Sequence, residues 1–224
     1  MLLSLDLLDL LESTAMTATD PVLESSSEIE FWFEFGSTYS YLSVMRIEDA
    51  TRRHGIRIVW KPFLLGPIFK ALGMETSPFV LNSQKGAYMW RDIERQCRKY
   101  GLAWQRPSQF PRPALLAARV ALLGAQKPWI SAFCCQVMEL NFALDEDIDQ
   151  PERLAALLSG LGLPASDILD QAQSEPNKIL LREQTEQARV KGIFGAPSFF
   201  VGTEMFWGND RLDDAVLLAS QKRR

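Results

Sequence analysis

The segment from residue 29 to residue 62 constrains the chain most, because it reads strand, helix, strand with no hairpin turn between the strands. Ile29 to Phe35 alternates apolar residues with Glu30 and Glu34, with Trp32 between them, a period of two in residues of high strand propensity. Gly36-Ser37-Thr38 breaks the pattern. From Tyr39 to His54 the apolar residues Leu42, Met45, Ile47 and Ala50 keep helical spacing, basic residues collect at the end, and Gly55 follows as a C-terminal cap. A second strand runs Ile56 to Lys61 and stops at Pro62. A crossover of this length permits parallel pairing, and such units are right-handed.

The middle of the chain reads entirely helical: Gly66 to Leu72, Lys85 to Tyr100, Ala114 to Leu123, Trp129 to Phe142, Pro151 to Leu161, Ala165 to Ser174 and Pro176 to Lys191, with a proline-broken loop from Arg106 to Pro113. Strand signals return at Ser198 to Gly202 and Glu204 to Trp207, joined by Gly202-Thr203 as a hairpin. Asn209-Asp210 then caps a final helix, Arg211 to Ser220. Removing the middle leaves the order β-α-β, α-β-β-α. The expected fold is therefore α/β, thioredoxin-like, with a large all-helical insertion. A doubly wound α/β domain is the alternative, but the pattern supplies only four strands. The expected organisation is a leader over residues 1–28, a discontinuous thioredoxin-like domain over 29–64 and 176–221, and an inserted helical domain over 65–175.

A net charge of −4 offers no basic surface for nucleic acid, and the short clusters Arg52-Arg53-His54 and Lys222-Arg223-Arg224 read as solvated helix ends. No apolar run is long enough to span a membrane. Three cysteines, two of them adjacent (Cys134 and Cys135), make no disulfide framework, and one histidine leaves no Cys/His zinc spacing. Cys97, Cys134 and Cys135 fit a reducing compartment, and with the missing secretory pattern this points to the cytoplasm. Residues 1–28 read as a disordered leader, with an upstream start before Met16 or a short docking helix as the alternatives.

Three places could carry chemistry. Ser37 follows a buried strand and opens a helix, where unpaired N–H groups and the helix dipole favour an anion; it is equally suited to be a plain N-cap. His54 falls at the far end of the same helix, so a serine-hydrolase relay is not offered. Gly195-Ala196-Pro197-Ser198, just before a short strand, is either a plain turn or a cis peptide. Asn209-Asp210 is either a helix cap or a carboxylate and amide able to take a ligand ammonium.

The run F-W-F-E-F-G-S-T-Y-S-Y-L, followed by K-G-A-Y-M-W-R-D, G-A-P-S-F-F-V-G and F-W-G-N-D-R-L, resembles the motifs of the 2-hydroxychromene-2-carboxylate isomerases and kappa-class glutathione transferases, over about residues 29–220. The resemblance implies a DsbA-like member of the thioredoxin superfamily that uses glutathione. In it Ser37 would be the catalytic serine facing the glutathione sulfur, Lys85 would contact glutathione, the backbone of Ala196 before a cis Pro197 would pair with the cysteinyl unit, and Asn209 and Asp210 would hold the γ-glutamyl end. It also implies a homodimer acting on a small aromatic or electrophilic molecule. Two departures stand out: Thr38 where the family commonly has proline, and Met74 where it has an asparagine. Phe63, Phe69, Met89, Trp90 and Trp104 would serve either as a substrate wall or as core. Three functions follow: an isomerase using glutathione reversibly, a transferase that forms an adduct, or a glutathione-binding module without turnover. Disulfide exchange is disfavoured because Ser37 and Ser40 stand where a Cys-x-x-Cys would be.

Overall fold

A computed structural model describes residues 27–222. Four strands, β1 (Glu28–Phe33), β2 (Arg57–Pro62), β3 (Ser198–Val201) and β4 (Glu204–Trp207), form one sheet in the order β2-β1-β3-β4. β2 is parallel to β1, whereas β3 runs antiparallel to β1 and β4 antiparallel to β3. Helix α1 (Thr38–Arg52) is the crossover between β1 and β2. Eight helices lie between β2 and β3: α2 (Leu65–Ala71), α3 (Pro78–Leu81), α4 (Ser83–Tyr100), α5 (Leu115–Gly124), α6 (Ile130–Phe142), α7 (Pro151–Gly160), α8 (Ala165–Gln173) and α9 (Glu175–Val190). A 3-10 turn at Asn209–Arg211 leads into α10 (Leu212–Gln221). This is the expected thioredoxin-like order with its helical run. The leader expected over residues 1–28 lies outside the described residues except for Ser27 and Glu28. Those two belong to the fold: the Ser27 hydroxyl donates to the Ala219 carbonyl and Glu28 opens β1.

Side chains cover both faces of β1. Ile29, Phe31 and Phe33 enter the main core beside Trp60, Phe199, Leu42 and Ile47. Trp32 points the other way, into a smaller cluster with Phe63, Ile68, Ala188, Ile193 and Phe200. Glu30 and Lys191 close the margin of that cluster with an ion pair of 3.0 Å. The main core runs without a break from the sheet into the helical run, taking in Met89, Ile93, Phe133, Met138 and Leu154.

Three boundaries differ from the sequence pattern, each for a local reason. β1 stops at Phe33 because the Glu34 N–H turns to Ser40 Oγ (3.4 Å) and the Glu34 carbonyl accepts from the Ser37 N–H (3.1 Å), which closes a turn. Pro62 belongs to β2, an edge strand, where a missing N–H is tolerated. α5 runs through Gly124 rather than ending before it, and the Trp129 ring lies where a Cβ at 124 would be, at 2.3 Å. The short helix α3 was not foreseen; Ser77 caps it through the Phe79 N–H and Pro78 occupies its first turn. α3 in turn rests on α4 at Gly86, where a Cβ would meet the Phe79 carbonyl oxygen at 2.3 Å. Gly86→Ala is accordingly expected to destabilise the protein by about 1–3 kcal/mol, lowering the thermal midpoint by roughly 2–4 °C for each kcal/mol, as read by calorimetry. An unchanged midpoint would show that α3 does not depend on this close approach.

Candidate active site

The sheet register assembles the site. β1 ends pointing toward Ser37, and β3, being antiparallel to it, begins at the same edge, with Trp32 opposite Ser198. Ser198 is also paired with Trp207 at the end of β4, and the Gly208 N–H donates to the Pro197 carbonyl at 2.9 Å. The start of α1, the turn before β3 and the 3-10 turn after β4 therefore meet at one end of the sheet, next to the carboxyl end of β1, where ligands bind in open α/β sheets.

The Ala196–Pro197 bond is cis, as the sequence allowed. Ser37 caps α1 by accepting from the Ser40 N–H (3.2 Å), and its hydroxyl donates to the Ala196 carbonyl at 2.9 Å. Ser37 and Ala196 are half-buried and Pro197 is buried. Ser37 is thus an N-cap, and it also faces the cis-proline turn across 159 residues of sequence. A second cis bond, Phe110–Pro111, was not foreseen and lies in the loop before α5.

Helix α4 forms the facing wall. Met89 accepts from the buried Thr38 hydroxyl at 3.3 Å, and Asp92 accepts from the Tyr39 hydroxyl at 3.0 Å. Lys85 stands one turn before Met89 on the same helix face. It is exposed, and it makes no ion pair among the described residues. Thr38, where the family has proline, is therefore tied into α4 by its own hydroxyl. The Tyr39 hydroxyl is held protonated, first by burial, then by the negative charge of Asp92, with Asp210 adding to the effect. Phe63, Phe69 and Met89 are core residues; Trp90 and Trp104 are half-buried, Trp90 meeting Phe110 edge to face and Trp104 stacking on Phe142.

Asn209 and Asp210 diverge. Asp210 is exposed and, among the described residues, its ion pair is with its neighbour Arg211 (3.2 Å). Asn209 is buried, and its Oδ1 accepts from Arg46 (3.0 Å) and Ser43 (3.3 Å) on α1. The final helix α10 has no side-chain cap, which corrects the capping role read for this pair. The competing donors on α1 claim the Asn209 side chain first, since the charged Arg46 is the stronger partner. Arg46 is itself stacked on Tyr100 at 3.8 Å.

Sequence reasoning did not single out Glu34 or Asn141. Asn141, buried on α6, donates to the Phe35 carbonyl at 2.9 Å and so fixes the turn that presents Ser37. Glu34 accepts from the Gly36 N–H at 3.0 Å, and burial pushes its carboxyl up to about 7 in spite of that bond. The only available signal for Glu34 was an acidic residue inside an otherwise aromatic strand. The protein's own thiols are poor nucleophiles: burial pushes Cys97 and Cys135 up to about 11, and Cys134 well above its usual value.

A family model described as DSBA-like thioredoxin domain matches residues 28–217. The chain belongs to that family. A protein of Sphingobium xenophagum named 2-hydroxychromene-2-carboxylate isomerase is 29% identical over 185 residues, covering 83% of this chain and 94% of the relative. A rat protein (Rattus norvegicus) named glutathione S-transferase kappa 1 is 23% identical, covering 87% and 91%. A solved structure of a 2-hydroxychromene-2-carboxylate isomerase superposes with a TM-score of 0.78 at 24% identity, over 88% of this chain and 95% of that one. The resemblance read from the motifs stands on these matches.

The two halves of the Asn209-Asp210 pair should separate in stability measurements. Asn209→Ala, which strands Arg46 and Ser43, is expected to cost about 1–3 kcal/mol of unfolding free energy, whereas Asp210→Asn should stay within about 0.5 kcal/mol. Equal losses in denaturant titrations would refute the inward and outward assignment.

Proposed function

We propose that this chain is a glutathione-dependent cis-trans isomerase acting on 2-hydroxychromene-2-carboxylate or a related aromatic α-keto acid. The observation that carries this reading is the 2.9 Å bond between the Ser37 hydroxyl and the Ala196 carbonyl across the cis-proline turn. It puts an alcohol, an open helix N-terminus and a main-chain acceptor in one place. The names of the relatives at 29% identity support the substrate class.

The residues present fit glutathione. Ala196 offers main chain before the cis Pro197, Asp210 is an exposed carboxylate suited to an ammonium, and Lys85 is an exposed cation on the facing helix. When bound, glutathione supplies the thiolate that adds reversibly to a conjugated carbon, so that a double bond becomes single, rotates and re-forms. The main chain of Ala196 would hold the cysteinyl unit, and the Ser37 hydroxyl would stabilise the sulfur. A hydrogen bond to a charged group contributes roughly 1.5–3 kcal/mol, and a helix N-terminus adds about 0.3–2 kcal/mol. At about 1.4 kcal/mol per unit these lower a thiol from about 8.5 by roughly 1 to 3 units. Ser37 stabilises an anion here and forms no covalent bond. His54 follows the C-terminal end of α1, whose 15 residues separate it from Ser37 by about 22 Å, so no relay activates the serine. A serine at 37 also cannot enter a mixed disulfide.

The match to a kappa-class glutathione transferase favours a second reading, in which the thiolate attacks an electrophile and stays attached. A homodimer in the cytoplasm belongs to the same proposal. It is compatible with three free cysteines and with the finding that, among the described residues, no helix is long and apolar enough to cross a membrane.

Product analysis separates the readings: an unconjugated isomer with glutathione conserved is expected, and a stoichiometric adduct would replace isomerase by transferase. Ser37→Ala should lower kcat/KM by roughly 10- to 100-fold and raise the thiol pKa of bound glutathione, followed by thiolate absorbance. Full activity in both assays would remove Ser37 from the chemistry.

A further inference from the structure

We propose, on the glutathione reading above, that Glu34 is a positioning residue of the same site: its carboxylate, held against the Gly36 N–H, sets the turn that aims Ser37. The geometry is local and closed. The Glu34 carboxylate accepts from the Gly36 N–H at 3.0 Å, the Glu34 carbonyl accepts from the Ser37 N–H at 3.1 Å, and the Glu34 N–H donates to Ser40 Oγ at 3.4 Å. One residue thus bonds each of the three residues that shape the entry to α1. Gly36 leaves no slack. A Cβ there would lie 3.1 Å from both the Glu34 carboxylate and the Arg112 carbonyl oxygen, so the turn is held between β1 and the loop before α5.

No charged neighbour neutralises Glu34. From α1 the Ser40 hydroxyl takes only the Glu34 backbone N–H, and on α6 Asn141 binds the adjacent Phe35 carbonyl. In the loop before α5, the Arg112 guanidinium is taken by Asp145, Ser108 and the Glu146 carbonyl. On β2, Lys61 lies over the Trp32 ring. Among the described residues Glu34 has no ion pair. Burial then moves its midpoint to about 7, which puts the change of charge in the neutral range. An ionised acceptor holds an N–H about twice as strongly as a neutral one, so the Gly36 anchor tightens as pH rises through that midpoint.

The sulfur of glutathione titrates in the same range, so the test uses S-methylglutathione, whose sulfur carries no proton. The amide resonance of Gly36 reports the anchor without any ligand. In the wild type that resonance should titrate with a midpoint near 7, and the affinity for S-methylglutathione by calorimetry should rise about three- to tenfold across the same midpoint. Glu34→Gln keeps an oxygen acceptor and removes the titration, so both curves should become flat. Glu34→Ala should be flat and weaker. A folding control has a definite sign: the raised carboxyl makes wild-type stability fall relative to Glu34→Gln as pH rises from 4.5 to about 7.

A Gly36 resonance that stays still on both sides of the midpoint overturns the proposal. So does a titrating resonance with flat affinity, which leaves the glutathione reading intact. An absence of binding at every pH overturns the glutathione reading and this proposal with it.

Discussion

The antiparallel placement of β3 against β1 is the constraint on which the site depends. A strand that enters the sheet in the opposite direction begins where its neighbour ends, so the turn before Ser198 must lie beside the turn after Phe33. The cis Pro197 and the helix-capping Ser37 become neighbours through the hydrogen-bond register of the sheet, not through any attraction between them. β4 repeats the operation and brings Gly208 to the Pro197 carbonyl, with Asp210 two residues beyond. The helical run leaves β2 and enters β3 at this same end of the sheet, and it adds α4 as the wall that carries Lys85, Met89 and Asp92.

Around this edge the charges and hydroxyls divide into two sets. Arg46, Ser43, Asn209, Asn141 and Arg112 are spent on internal partners and fix the loops. Lys85 and Asp210 are left exposed and bear opposite charges. Ser37 belongs to both sets, since its hydroxyl caps α1 and closes on Ala196. Burial leaves the thiols of Cys97, Cys134 and the half-buried Cys135 hard to ionise.

Much of this was legible in the chain. The alternation of Ile29 to Phe35, the helical spacing to His54 and the hairpin at Gly202-Thr203 are local patterns, and each became the expected element to within two residues. Ser37, Ala196, Pro197 and Asp210 could be proposed from the chain because strand-to-helix turns and X–Pro steps have local signatures. Asn209 was misjudged for the same reason: its capping signature is local, whereas Arg46, which claims it, lies 163 residues away. Asn141 and Arg112 carried no signature, because a buried side chain that holds a distant carbonyl looks in sequence like any polar residue on a helix or in a loop.

The sequence by itself determined the elements, the breaks between them and the absence of a redox Cys-x-x-Cys, since these depend on residue type and on spacing within one or two turns. The tertiary structure alone decided which polar groups face each other across the edge. It turned Asn209 inward and Asp210 outward, set Thr38 and Tyr39 against α4, and enclosed Glu34 far enough to move its carboxyl to about 7. Desolvation and hydrogen-bond competition depend on everything within a few ångströms in space, and most of those neighbours are more than a hundred residues away along the chain or belong to another helix.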